Sequence, residues 1–318
     1  MTFHTDPLIL HGRPIANDLL DKLKVRVDKL SLAHGRSPLL AIIAVGLSNS
    51  GRVYVRRKQE VAESLGIIVR IYTFDSQACT YTIETAIRVL AADESVHGIL
   101  LQLPLPGSLD VDRLLECIPY HKDADGITGK SLAMVITGNP EILAPPCTGS
   151  AVQALLAGYN ISVQGKIALV IGRGRVAGLP ISIALSRANA TVITAHSKTK
   201  NIRELARIAD IVVVAVGQPG FLRPDMLKPE SVVIDVGCNV LDDGSICGDF
   251  QTANSRCVRS PVPGGVGPLT VVMLMQNIVR LAEFCYQTWK LCVCKWQSVF
   301  QVNKFCYLDP NMALPILT

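Results

Sequence analysis

A chain of 318 residues and 34.3 kDa, 49% hydrophobic and 18% charged, is too apolar and too evenly mixed to be disordered or fibrous, and is long enough for two domains. Thirty-one Lys and Arg stand against 26 Asp and Glu, a net charge of +5. Lys290, Lys295, Lys304 and Asp309 lie in the last 33 residues, so residues 1–285 keep 28 basic and 25 acidic side chains, an excess too small for a nucleic-acid-binding surface.

Near the N-terminus Ile15, Leu19, Leu20, Leu23, Val27 and Leu30 recur at helical spacing, and LLAIIAVG (39–46) then reads as a buried strand. A second helix carries Val53, Tyr54, Lys58, Val61, Ala62 and Leu65 and ends at Gly66, before the strand IIVRIYTF (67–74). A helix over 80–92 and the strand VHGILLQLP (96–104) repeat the cycle, with Gln102 the polar exception at the strand's exit. Strands alternating with helices at about 30 residues per unit imply a parallel sheet, whose ligands gather beyond the carboxyl ends of its strands.

The Pro-rich stretch EILAPPCTGS (141–150) leads into a helix over 150–158 and marks a domain boundary, so 1–149 form a first α/β domain and 150–268 a second. The second opens with KIALVIGRGRVAGLPISIAL (166–185), a strand, a Gly-rich turn and a helix. The strands TVITAHS (191–197), ADIVVVAVG (209–217) and SVVIDVG (231–237) complete a doubly wound, Rossmann-like nucleotide-binding pattern. PVPGGVGPLT (261–270) is a rigid loop feeding the helix VVMLMQNIVRLAEF, so 269–287 is expected to return to the first domain.

From residue 284 the composition changes, with seven of the 16 aromatics between Phe284 and Tyr307. Cys285, Trp289, Cys292, Trp296 and Val299 fall on one helical stripe, which predicts an amphipathic helix docked on the first domain or on a sister subunit. A second reading makes the end of the chain after Gln287, the tail 288–318, an unselected extension. Membrane attachment ranks third, because the polar face carries few Lys or Arg.

Ten cysteines scattered along a chain that opens with Asp6 and Asp18 rather than a cationic leader predict reduced thiols and a cytoplasmic location. Arg280, Glu283, Lys290 and Lys295 interrupt the most apolar stretch, and no membrane-spanning helix is expected. Cys292 and Cys294 lack a paired second half, so no metal site is expected.

Gly172, Gly174 and Gly178 follow a strand and open a helix. The first glycine permits the tight turn, the second lets backbone approach a pyrophosphate, and the third allows close helix–strand packing. The exit of the next strand, where an NAD site presents an acid, reads His196-Ser197-Lys198, which with Arg173 and Arg175 suits a ribose phosphate and favours NADP over NAD. Tyr54 and Lys58 share one helical face, and a partly desolvated lysine oriented by an amide such as Gln102 can exchange protons near neutrality. In Lys122-Asp123-Ala124-Asp125-Gly126 a carboxylate can bind amino and ring N–H groups of a heterocycle, or cap a turn. Cys147 reads as a structural thiol rather than a nucleophile.

In order, Y-V-x-x-K, G-I-L-L-Q-L-P-L-P (98–106), K-D-A-D-G (122–126), P-C-T (146–148), G-R-x-x-x-x-G-x-P (172–180), H-S-K-T (196–199), K-P-E-S-V-V-I-D-V-G (228–237) and P-V-P-G-G-V-G-P-L-T (261–270) resemble the bifunctional methylenetetrahydrofolate dehydrogenase/methenyltetrahydrofolate cyclohydrolase family over residues 8–285. The resemblance implies a two-domain protomer, a homodimer paired through its nucleotide domains, and tetrahydrofolate derivatives bound in the cleft between domains. It implies Lys58 as the central catalytic residue, Tyr54 stacking on the folate, Gln102 orienting Lys58, and Asp125 gripping the pterin. Gly172, Arg173, Gly174, Arg175, Gly178, His196 and Ser197 then fall on the NADP side, and the loop with Pro263, Gly264 and Gly265 on the folate side. NADP-dependent oxidation of 5,10-methylene-tetrahydrofolate and hydrolysis to 10-formyl-tetrahydrofolate follow as the expected activity. The chain departs from the family pattern at Gly51, where Ser is common, at Gly149 and Ala151, and at Gly174 and Ala177. A dehydrogenase with a weak second step, or a non-catalytic folate- or nucleotide-binding protein whose tail engages a partner, remain as alternatives.

Overall fold

Continuous apolar runs become strands covered on both faces, because a strand with no solvent side carries no polar alternation. The computed structural model describes residues 7–301 except 242 and 254, and only the backbone of 49, 50 and 289–301. Helix α1 (Gly12–His34) precedes β1 (Leu39–Val45), α2 (Asn49–Leu65) leads to β2 (Ile68–Phe74), and α3 (Thr80–Ala92) to β3 (Gly98–Leu101). The three strands form a parallel sheet in the order β2–β1–β3. Every residue of β1 is buried, with Leu40 and Ile42 in one core layer and Leu39, Ala41, Ile43 and Val45 in the other, the period of two that pleating imposes.

Three helices follow: α4 (Val111–Glu116), α5 (Gly129–Thr137) and α6 (Cys147–Gly158). The second unit runs β4 (Ile167–Ile171), α7 (Gly178–Arg187), β5 (Thr191–Ala195), α8 (Ile202–Ile208), β6 (Ile211–Val214), β7 (Val232–Asp235), a ribbon of β8 (Asn239–Val240) and β9 (Ile246–Cys247), and β10 (Val258–Arg259). Its parallel sheet has the order β10–β7–β6–β4–β5. The chain runs from β4 out to the edge strand β5 and then back across to β6, so the direction of winding reverses between β4 and β6. Ligands of doubly wound sheets bind at that switch point, beyond the carboxyl ends.

The last helix, α9 (Val266–Gln301), packs on α6 and α1 and also meets β1 and β3 of the first sheet. Arg26 of α1 clasps Glu283 of α9 through Nη2, at 2.9 and 2.7 Å from the two carboxylate oxygens. Leu269, Met275 and Ile278 of α9 are fully buried in a layer that reaches Leu40 and Leu100 of the first sheet and Val170 and Val213 of the second. Each such side chain contributes roughly 1.5–3 kcal/mol. By length and composition Val266–Thr288 could cross a membrane, but 67% of its apolar window is buried inside the protein, which is the use a core helix makes of such a sequence.

The expected strand over 96–104 stops at Leu101, short of Pro104, which has no N–H to offer a ladder. Helix α6 starts at Cys147, inside the stretch expected to be irregular, with Pro146 at its N-cap. Helix α9 continues to Gln301, in keeping with the helical spacing of the tail; the docking of its side chains from 289, and residues 302–318, lie outside the described residues. The seven described cysteines form no disulfide.

Candidate functional site

Gln102 stands where β3 ends, its N–H still donating to Ile43 O of β1 at 2.9 Å, and it is 8% exposed. Its Nε2 donates to Leu103 O at 2.7 Å, which leaves Oε1 as the acceptor for Lys58 Nζ of α2 at 2.8 Å. Burial pushes the Lys58 ammonium below its ordinary pKa, against the opposing pull of Asp125 and Cys147. A neutral amine whose N–H is held by Gln102 keeps its lone pair available for a proton.

Tyr54 precedes Lys58 by one turn of α2, and its hydroxyl hydrogen-bonds Cys238 Sγ at the exit of β7. Partial burial and then that contact hold the phenol well above its ordinary pKa, so it is protonated throughout the neutral range.

In the charged turn the residue types leave the two aspartates alike, and only the family resemblance singles out Asp125. Asp123 is the cap: Oδ1 accepts from Gly126 N–H at 2.9 Å and Oδ2 from Thr128 N–H at 2.8 Å, and burial raises its pKa. Asp125 is thereby left beside Lys58 and Cys147, whose attractions and repulsions it dominates. Burial first, and Asp125 second, raise the Cys147 thiol well above its ordinary range, which keeps it uncharged and disfavours a nucleophilic role. Asn277, absent from the sequence-derived candidates, pins both loops: its Nδ2 donates to Ala124 O and Pro145 O, each at 2.9 Å. The available signal was the pair of amides, Gln276 and Asn277, in the apolar run VVMLMQNIV, since a buried amide needs partners.

On the second sheet, Gly172 has φ 123°, and a Cβ there would meet Ala215 O at 2.2 Å, at the exit of β6. A Cβ on Gly178 would meet Gly172 O at 2.2 Å, whereas nothing lies within 4 Å of one on Gly174. The turn is thus closed on two sides and open at Gly174. Gly172 N–H is taken by Ala195 O and Leu179 N–H by Gly174 O; among the described residues no backbone acceptor takes the amides of Arg173 to Gly178, at the start of α7. Such amides are a ready anion site.

Arg173 is exposed on this turn and has no acidic partner among the described residues. Arg175 turns towards the first domain instead, with Nη2 at 2.8 Å from Asp112 of α4 and Nη1 donating to Ile127 O at 3.1 Å. At the exit of β5, His196 Nδ1 accepts from Lys198 N–H at 3.2 Å, and Ser197 is exposed. The open cradle, an unpaired guanidinium and a hydroxyl, with no carboxylate over 196–199, fit a dinucleotide carrying an extra phosphate. The loop of Pro263, Gly264 and Gly265 closes on the start of α1 through Gly12 N–H to Gly264 O at 2.9 Å. No hydrogen bond among the described residues joins these three to Tyr54, Lys58, Gln102 or Asp125.

Two family models match the chain: the tetrahydrofolate dehydrogenase/cyclohydrolase catalytic domain over residues 10–125, and the NAD(P)-binding domain of the same family over residues 146–286. The bifunctional protein FolD of Dechloromonas aromatica is 40% identical over 278 residues, 86% of this chain and 97% of that relative. Among solved structures, the bifunctional FolD enzyme of Campylobacter jejuni aligns with a TM-score of 0.81 at 36% identity, over 86% of this chain and 98% of that one. The Trypanosoma brucei dehydrogenase-cyclohydrolase, solved with NADP cofactor and an inhibitor, aligns at 0.83 and 33% identity, over 88% and 98%.

Proposed function

The chain belongs to the tetrahydrofolate dehydrogenase/cyclohydrolase family, and we propose that Tyr54, Lys58, Gln102 and Asp125 form the centre at which both of its reactions occur. The enzyme oxidises 5,10-methylene-tetrahydrofolate with NADP and hydrolyses the resulting 5,10-methenyl compound to 10-formyl-tetrahydrofolate. The observation that carries the assignment of residues is the 2.8 Å bond from Lys58 Nζ to Gln102 Oε1, with the lysine's proton affinity lowered by burial.

Bound NADP supplies the hydride acceptor. The protein's part in that step is alignment: Tyr54 offers a ring face to the folate, and Asp125 accepts hydrogen bonds from the heterocycle's N–H groups. Arg173 and Ser197 hold the ribose phosphate, and the free amides of residues 173–178 hold the pyrophosphate. Arg175, spent on Asp112 and Ile127 O, ties that turn to the loop bearing Asp125.

Hydrolysis is where a base is required. Water adds to the methenyl carbon and must lose a proton, and the neutral Lys58 amine receives it. The ammonium so formed returns the proton to the ring nitrogen as the carbon–nitrogen bond opens, and the adduct's hydroxyl proton passes through the regenerated amine to solvent, leaving the formyl group on the other nitrogen. Gln102, pinned by Leu103 O, keeps the amine aimed through both transfers.

The protomer pairs through its nucleotide domains in a cytoplasmic homodimer on this reading, supported by the edge strand β5, which has one neighbour in its sheet. A coupled assay tests the assignment: wild type should yield reduced NADP with transient methenyl absorbance, and Lys58→Met should accumulate methenyl or lose both steps. Unimpaired formyl production by Lys58→Met would remove the lysine from the mechanism.

A further inference from the structure

Cys238 stands at the mouth of the cleft, on a backbone fixed from both sides. Gly237 N–H, before it, donates to Asp235 Oδ1 at 2.9 Å, and Asn239 Nδ2, after it, donates to Asp249 Oδ1 at 2.8 Å. The two carboxylates are themselves locked. Asp249 accepts the N–H groups of Val216, Gly217 and Gln218 at 2.6, 2.9 and 2.8 Å, and Asp235 accepts those of Asp249 and Phe250 at 3.0 and 2.9 Å. Asp235 is 3% exposed and Asp249 fully buried, so this lattice of amide bonds is shielded from water. The Cys238 backbone is therefore a rigid part of the second domain, while its exposed side chain reaches Tyr54 on α2 of the first.

We infer that Cys238 is a positioning residue for the folate reaction, its thiol holding the Tyr54 hydroxyl across the cleft and so fixing the plane of the ring on which the substrate lies. This rests on the reading of Tyr54 as the folate-facing residue. An aromatic ring that is 38% exposed on a helix has little packing to select its orientation, and a single polar contact at its far end supplies the missing constraint. Because the contact joins the two domains, it also makes the width of the cleft part of the substrate site. The nucleotide domain thus contributes to folate binding through a residue at the carboxyl end of its own sheet.

The test uses the full chain as wild type, Cys238→Ala, Cys238→Ser, Tyr54→Phe and the Tyr54→Phe/Cys238→Ala double variant, with kcat and KM for methylene-tetrahydrofolate at saturating NADP and the thermal midpoint of each. A lost hydrogen bond of ordinary strength corresponds to roughly a 2- to 10-fold change, expected in KM for Cys238→Ala with kcat less affected. Cys238→Ser, which keeps a hydroxyl donor and acceptor, should restore KM to within about twofold of wild type, inside the scatter of one such bond. In the Tyr54→Phe background the Ala substitution should add nothing. An unchanged KM in Cys238→Ala, a Ser variant as impaired as the Ala variant, or the same fold-change with and without the Tyr54 hydroxyl would overturn the inference. The bond is also read without turnover, by peptide mass spectrometry of iodoacetamide labelling at Cys238. Labelling should be faster in Tyr54→Phe, and equal rates would count against the contact. An inactive wild type that still shows this protection would refute the catalytic reading and leave the contact standing.

Discussion

Replacing Gln102 by Glu puts a carboxylate in place of the amide oxygen that lies 2.8 Å from Lys58 Nζ. Unit charges at that distance attract by about 6 kcal/mol at an effective dielectric constant of about 20, and burying the new carboxylate offsets much of this. The net result expected for such a pair is a Lys58 pKa raised by about 1–3 units, against the lowering that burial now imposes. The neutral amine is then scarcer at neutral pH, so methenyl hydrolysis there should fall, by about a factor of ten for each unit by which the raised value exceeds the assay pH. The alkaline rise of the rate should move up by the same 1–3 units. Decay of methenyl absorbance between pH 6 and 9.5, corrected for the spontaneous reaction, measures both. Gln102→Leu is the contrasting variant: it removes the acceptor without adding charge, and its profile should not move upward. A Gln102→Glu enzyme with the wild-type profile would show that the protonation state of Lys58 does not govern hydrolysis.

Gly178→Ala places a methyl 2.2 Å from Gly172 O, so the turn must open; NADP affinity, followed by NADPH fluorescence titration, should fall at least tenfold while folate binding persists, and unchanged NADP affinity would refute the role given to the turn. His97, 2% exposed with Nδ1 accepting from Leu39 N–H at 3.0 Å, has its pKa lowered by burial to about 4 from an ordinary 6.5. The folded state therefore disfavours the imidazolium, and the stabilisation is complete above pH 6.5 and lost as pH falls towards 4. Integrated over that window it amounts to about 3 kcal/mol at most. Urea unfolding at pH 7 and 4.5 should show much of this loss in wild type and little of it in His97→Phe; equal losses would place the acid sensitivity elsewhere.

The parts of the fold that could be read from the sequence were those coded locally. β1 is a continuous apolar run because both its faces are covered, and the Gly172–Gly178 spacing names the turn because close approach admits no other residue at those positions. What escaped was set by partners far along the chain. β10 is two residues long and gains its place by pairing with β7 while Ile9, from the start of the chain, bridges Arg259. The ribbon of β8 and β9 likewise has two residues a side, too few to show a period. At the candidate site, the pairing of Lys58 with Gln102 could be anticipated from chemical type and position. The capping role of Asp123 was not legible from residue type, because both aspartates flank Ala124 and only the resemblance to the family singled out Asp125. Asn277 acts on carbonyls 153 and 132 positions away, a relation that periodicity cannot carry.

Two reactions at one carbon place a constraint on the cleft that a single reaction would not. The product of oxidation is the substrate of hydrolysis, so the base must be close enough to deprotonate an incoming water and yet must not crowd the face from which the hydride leaves. On the proposed assignment, placing Lys58 on α2 and securing it from β3 through Gln102 meets the first demand, since both residues belong to the first domain. Placing the phosphate-binding turn and β5 exit on the second sheet meets the other, since the cofactor then approaches from across the cleft. The cost of this separation is that the distance between hydride donor and acceptor depends on how the domains sit. Contacts that bridge them, Arg175 with Asp112 and Ile127 O on one side and Tyr54 with Cys238 on the other, fall where that distance is set. Loosening the Arg175 contacts should therefore weigh more on hydride transfer, which needs both domains aligned, than on hydrolysis, whose proposed base and its anchor belong to the first.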